Sequence, residues 1–131
     1  LDLLTPLTTA PATPYLLQAL VAACHATAAR AEDTDWARIV GLYGELEALT
    51  GSPVVRLARA VAVAETDGPA AGLTLLEGLT IPGHRLPGVR AELLARLGRA
   101  DEARASYDEA LAVCRNAVEA DHLARRRAAL G

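Results

Sequence analysis

The stretch Asp101-Glu102-Ala103-Arg104-Ala105-Ser106-Tyr107-Asp108-Glu109-Ala110 decides the fold. Ala103, Tyr107 and Ala110 stand four and then three residues apart, so one large and two small side chains share a helix face. Thirty-two residues earlier Ala71, Leu75 and Gly78 repeat the spacing, and a looser copy lies another thirty-two back at Ile39, Tyr43 and Leu46. A small, large, small sequence on one face is how one helix of a pair packs closely on its partner. Its recurrence every thirty-odd residues is the mark of helical hairpins stacked in series. Such arrays present surfaces to other proteins and seldom carry chemistry.

The beat points to the tetratricopeptide class of repeat in particular. Composition agrees. The chain of 131 residues is 52% hydrophobic, yet aromatics make up 3% and Phe and Met are absent. The apolar mass is therefore Ala, Leu and Val, which suits closely packed helices better than a sheet sandwich. That length holds one continuous core and not two independent ones. No apolar run of membrane-spanning length is free of charges and turn residues, so no membrane span is expected. A net charge of −3 argues against nucleic-acid binding as the main task. Cys24 and Cys114 lie ninety residues apart on apolar helix faces and read as small buried hydrophobes of a cytoplasmic protein rather than a disulfide. Leu1 follows no initiator Met and no signal-peptide region, so the sequence reads as a piece of something longer.

Punctuation along the chain gives seven expected helices. Residues 1–12 are an apolar turn and a Thr/Pro/Ala linker, or the remnant of an upstream element; the repeat domain covers 13–131. Thr13-Pro14 starts a first helix to about Ala29 that is apolar all round and therefore needs cover on both sides. Leu1–Leu7 folding over it, or a homodimer through it, would supply that cover. Asp33 and Asp35 lead into a helix to Thr50 that Gly51 ends. Ser52-Pro53 opens the next, through about Thr66, and Pro69 opens a short one to about Leu79. Helices from about Pro87 to Leu97 and from Asp101 to Arg115 follow, and Asn116 caps a last one to Leu130. The fold expected is all-α: three hairpins (14–29 with 35–50, 53–66 with 69–79, 87–97 with 101–115) and a capping helix with one wettable face. Trp36, Tyr43, Leu75, Leu94 and Tyr107 are expected along one continuous core.

Several strings go beyond a generic repeat. Thr13-Pro14-Tyr15-Leu16-Leu17-Gln18-Ala19-Leu20 is followed by Asp33-Thr34-Asp35-Trp36, then by Arg59-Ala60-Val61-Ala62-Val63-Ala64 and Asp67-Gly68-Pro69-Ala70-Ala71-Gly72-Leu73. Arg90-Ala91-Glu92-Leu93-Leu94-Ala95-Arg96-Leu97-Gly98-Arg99 then leads into Asp101-Glu102-Ala103-Arg104. In this order and spacing they resemble the tetratricopeptide-like C-terminal extension of bacterial extracytoplasmic-function RNA polymerase sigma factors, over Thr13 to Leu130. The resemblance implies a cytoplasmic domain that modulates transcription initiation by contacts with the sigma core, the polymerase or an unidentified protein. It also implies that the promoter-binding domains lie elsewhere, so this segment should not bind DNA by itself. In two places the chain departs from that family: Ala58 stands where Asn is usual, and Pro82-Gly83-His84 where Gly-Tyr-His is usual. Both concern local side-chain hydrogen bonds and leave the fold expectation intact. A free-standing repeat adaptor that binds a peptide or protein is the alternative.

No catalytic, cofactor or metal site is expected. His25, His84 and His122 make no ligand pattern with either cysteine, and adjacent Cys24 and His25 point about 100° apart on a helix. The acid pairs Glu45/Glu47 and Asp108/Glu109 fall on outward faces, and no phosphate loop or nucleophile elbow is present. Candidate structural and interaction residues are Asp33, Asp35, Trp36, Leu57, Arg59 and Val61. Leu57, Val61 and Ala64 form an apolar helix face that is either core or a peptide groove. Arg59 holds a position that is apolar in ordinary repeats, so it should be at least half buried and bonded to Asp33, Asp35 or a helix-end carbonyl. The Arg125–Arg127 run reads as a solvated final turn rather than a phosphate site.

Overall fold

Asp35 starts the first fully described helix, its Oδ1 accepting the Arg38 N–H at 3.1 Å. The computed structural model describes residues 18, 20–22 and 35–130. Within them lie six helices: α1 (Trp36–Thr50), α2 (Pro53–Asp67), α3 (Pro69–Leu76), α4 (Arg85–Arg96), α5 (Ala100–Val113) and α6 (Ala117–Ala128). Residues 18 and 20–22 belong to an earlier helical segment, and no strand occurs among the described residues. Thr13-Pro14, Cys24 and Leu1–Leu7, with the expectations attached to them, lie outside that set.

Local chemistry places each boundary. Gly51, at φ +63°, ends α1 in the left-handed region and returns its N–H to the Glu47 carbonyl at 2.7 Å. Ser52 caps α2 through the Val55 N–H, with Pro53 at the first helical position, where a missing N–H costs nothing. Asn116 Oδ1 accepts the N–H groups of Val118 (2.9 Å) and Glu119 (3.1 Å), which fixes the start of α6. In α3 the helical run stops at Leu76, three residues short of expectation; in α4 it begins at Arg85, two residues early.

Consecutive helices fold back on one another. Near the start of α2, Arg56 Nε donates to the Leu75 carbonyl at the end of α3 (2.9 Å), while Ala60 and Ala64 further along α2 meet Gly72. These two contacts run in opposite directions along the pair, so α2 and α3 are antiparallel. Packing continues down the series, α3 on α4, α4 on α5 and α5 on α6, with α2 also touching α4.

The expected single core is divided instead into three clusters. Leu20, Val21, Ile39, Leu42, Leu46 and Ala62 form the first. Leu57, Ala60, Ala64, Leu76, Leu86 and Leu93 form the second, and Ala91, Leu94, Ala103, Tyr107, Ala110 and Leu123 the third. Leu73 packs against both the second and the third. Helix α2 serves the first two from different faces, Ala62 on one side and Leu57, Ala60 and Ala64 on the other. Tyr107 and Leu94 are buried as expected, whereas Trp36, Tyr43 and Leu75 sit half-buried at the cluster margins.

The repeat register also needs correction in its middle copy. Ala103, Tyr107 and Ala110 are buried, as are Ile39 and Leu46. In α3, however, the buried pair is Gly72 and Leu76 rather than Ala71 and Leu75. The cause is the α2–α3 approach, which is too close for a side chain at the crossing. A Cβ on Gly72 would lie 2.9 Å from the Ala60 carbonyl oxygen. The glycine must therefore face inward, and a helix turned to place it there rotates Ala71 aside by about 100°.

Candidate functional site

Helix α2 carries apolar residues around more of its circumference than its neighbours cover. Of the face read as either core or groove, Ala64 and Leu57 pack into the second cluster, Leu57 being only 5% exposed and bordering the groove with its remaining surface. Val61 is 39% exposed and Val54, two turns before it on the same face, is 52% exposed. With Ala58 between them they form one wall of an open groove of about 400 Å³. Val55 and Leu57 of α2, Val21 and Ala22 of the upstream helix, Tyr43 and Leu46 of α1, and Val89 of α4 also line it. Gln18 and Arg85 stand at its polar edges, and none of the described residues lining it is acidic. A shallow apolar trough with a cation at its edge suits an apolar segment carrying an acidic residue.

Sequence reading singled out Val61 but missed Val54, Tyr43 and Val89. A signal for Val54 was present. Residues 54 and 61 are seven apart, two turns of helix, at the edge of an apolar arc that Leu57 continues toward Ala64 and Ala60. The width of the apolar arc on α2, rather than its presence, marks an uncovered face.

Arg59 is at least half buried, as expected, its side chain 34% exposed. Its partner is Glu47 Oε1 at 3.2 Å, neither Asp35 nor a helix-end carbonyl. Asp35 is occupied in capping α1. Asp33 lies outside the described residues, and Trp36 is half-buried against the first cluster. The pairing follows from the approach of α1 to α2: Gly44, without a side chain, leaves the Arg59 guanidinium room beside α1 on its way to Glu47. Arg59 Nε is buried without a hydrogen-bond partner, which offsets part of what the ion pair contributes. Both partners keep some contact with solvent, so Arg59→Ala should lower stability by about 1 kcal/mol, and by less in high salt. Chemical denaturation at two ionic strengths checks this; a loss of several kcal/mol would mean a fully desolvated pair.

The basic run on α6 is spent inside the chain. Arg125 pairs with Asp121 at 2.7 Å, Arg126 approaches Glu92 of α4 at 3.5 Å, and Arg127 bonds Asp108 of α5. The Asp108 hydrogen bond holds the Arg127 guanidinium above its ordinary pKa. Glu92 is shared with Arg96 (3.2 Å), which in turn reaches Glu65 of α2 at 3.4 Å. Among the described residues no group of His, Cys, Asp and Glu is placed to hold a metal ion, and no helix is long and apolar enough to cross a membrane. Cys114 is a free thiol at the rim of the third cluster.

The chain is similar to an uncharacterized protein of Rhizobium meliloti (strain 1021), 49% identical over 124 residues. The match covers 85% of this chain but only 29% of the relative. No family model matches the chain, and no solved structure does.

Proposed function

We propose that this chain is a tetratricopeptide-like stack of helical hairpins acting as a regulatory interaction domain at the C-terminus of an extracytoplasmic-function sigma factor. It works in the cytoplasm, modulates transcription initiation through protein contacts, and itself neither recognises promoter DNA nor catalyses a reaction. The observation that carries this reading is the uncovered valine face of α2 in a groove without carboxylates. Two things support it. The ordered strings from Thr13 to Arg104 resemble that extension. In the Rhizobium relative the matching segment is less than a third of the polypeptide, so there it works beside other sequence. The occupant assigned to the groove is the sigma core joined to this domain in the same polypeptide.

In vitro transcription with the full-length parent protein tests the reading. Val61→Glu places a charge on a half-open wall, so folding should survive while contact with an apolar segment is lost. Initiation should change about tenfold or more, the scale of one desolvated interface contact. Arg125→Ala, on the far helix, should leave it unchanged. Normal initiation by the Val61→Glu protein would remove the groove from the mechanism. An isolated domain that binds promoter DNA below micromolar concentration at physiological salt would contradict the reading as a whole.

A further inference from the structure

Helices α4 and α6 both lean on α5, and between them lies a second cleft of about 470 Å³, more polar than the groove. Its floor is Tyr107, whose residue surface is only 2% exposed. The Tyr107 hydroxyl makes no hydrogen bond to any described protein group. Nor is it sealed off, since Arg59 Nε is the one sealed and unpartnered side-chain polar atom among the described residues. A phenol brought this deep is normally hydrogen-bonded, so the cleft supplies its partner.

The walls indicate what that partner is. His84 and Arg85 come from the start of α4, and Asn116, Glu119 and His122 from α6. Arg85 has no ion-pair partner among the described residues. The first turns of both helices line one end of the cleft, and α4 begins with no side-chain cap, leaving amide donors and a partial positive charge near it. Of the two carboxylates on the walls, Glu92 is already shared by Arg96 and Arg126. Glu119 sits in the first turn of α6, where the helix dipole offsets its charge. Donors thus outnumber free acceptors, and the imidazoles add ring N–H groups in either tautomer. Gly88, Val89 and Leu123 line an apolar strip beside them.

We infer that this cleft binds a small organic carboxylate, its anionic end at Arg85 and the α4 N-terminus, an oxygen on the Tyr107 hydroxyl, and its carbon skeleton along Val89 and Leu123. Arg85 and Val89 also border the α2 groove, whereas Tyr107 lines only the cleft, so Tyr107→Phe reports on this site alone. The site makes the domain a receptor for a soluble metabolite as well as a contact surface.

A nitrogen-15 NMR titration of the 131-residue chain with acetate, succinate, citrate and 2-oxoglutarate, each against sodium chloride at matched ionic strength, tests the inference. At least one acid should move the Gly88, Glu119 and His122 amides in a saturable way at millimolar concentration or below. Tyr107→Phe keeps the ring and removes only the hydroxyl, and should weaken binding about fivefold; Arg85→Gln should weaken it about tenfold. Neither should shift the thermal melt. Three results would overturn the inference: shifts no larger than those with chloride for all four acids, inorganic phosphate binding as tightly as the best of them, or unchanged affinity in Tyr107→Phe.

Discussion

Replacing Gly72 with alanine should destabilise the protein, against the usual sign of a glycine-to-alanine change inside a helix. In an open helix position that change stabilises by about 0.5–1 kcal/mol. At Gly72 the new Cβ would lie 2.9 Å from the Ala60 carbonyl oxygen, 3.1 Å from the Ala64 Cβ and 3.1 Å from Leu93 Cδ1. Leu93 can swing its terminal methyl away, but the Ala60 oxygen is backbone and moves only if α2 and α3 part. Overpacking of this kind costs about 1–3 kcal/mol, so Gly72→Ala should lose about 1 kcal/mol net and Gly72→Leu about 3 kcal/mol or more. Gly41 is the control: it is exposed on α1, and a Cβ there would meet no atom within 4 Å. Gly41→Ala should stabilise by about 0.5–1 kcal/mol. Denaturant midpoints for the three variants decide it; a Gly72→Ala midpoint above the parent's would show that α2 and α3 are not in such close contact.

The second large effect belongs to Tyr107. It is the largest fully buried side chain among the described residues and belongs to the third cluster, with Ala91, Leu94, Ala103, Ala110 and Leu123. Its surroundings are small or flexible side chains, and helices α4, α5 and α6 all contribute to them. Truncation to alanine leaves a void that those helices can only partly close, so Tyr107→Ala should cost about 3–5 kcal/mol. For a domain of this size such a loss lowers the melting temperature by about 10 °C or more. Calorimetry of the alanine and phenylalanine variants together separates the ring from the hydroxyl. A stable alanine variant would mean that the third cluster does not hold the C-terminal helices together.

Much of the fold is legible because it is written in local chemistry. Asp35, Ser52-Pro53, Pro69 and Asn116 mark helix starts by hydrogen bonds or ring geometry that depend on near neighbours alone. Tyr107 is legible because α5 is long enough to show its period. The rotation of α3 is not, because eight residues make barely two turns and either Ala71 or Gly72 satisfies a small-residue pattern. Only the distance between α2 and α3 chooses between them. The partner of Arg59 was likewise hidden. Asp35 and Glu47 are both acids of α1 or its cap, twelve residues apart, and which one faces α2 depends on how the helices cross. The groove and the cleft belong to this second kind of information. Each is a gap left where helices diverge, and no single helix carries the signal for it.

Helix α6 buries a single side chain, Leu123, and is otherwise held by ion pairs to α4 and α5 through Arg126 and Arg127. Its attachment therefore combines one apolar anchor with solvent-exposed ion pairs, while that of α2 to α3 is mostly steric. The two ends of the molecule consequently answer to different solution variables. Raising the salt concentration weakens the ion-paired share of the α6 attachment and leaves the α2–α3 crossing untouched, so any salt-dependent fraying should begin in the C-terminal turn. A ligand that spans α4 and α6 would hold the two helices together, so its binding and the docking of the last helix would be one equilibrium seen from two sides.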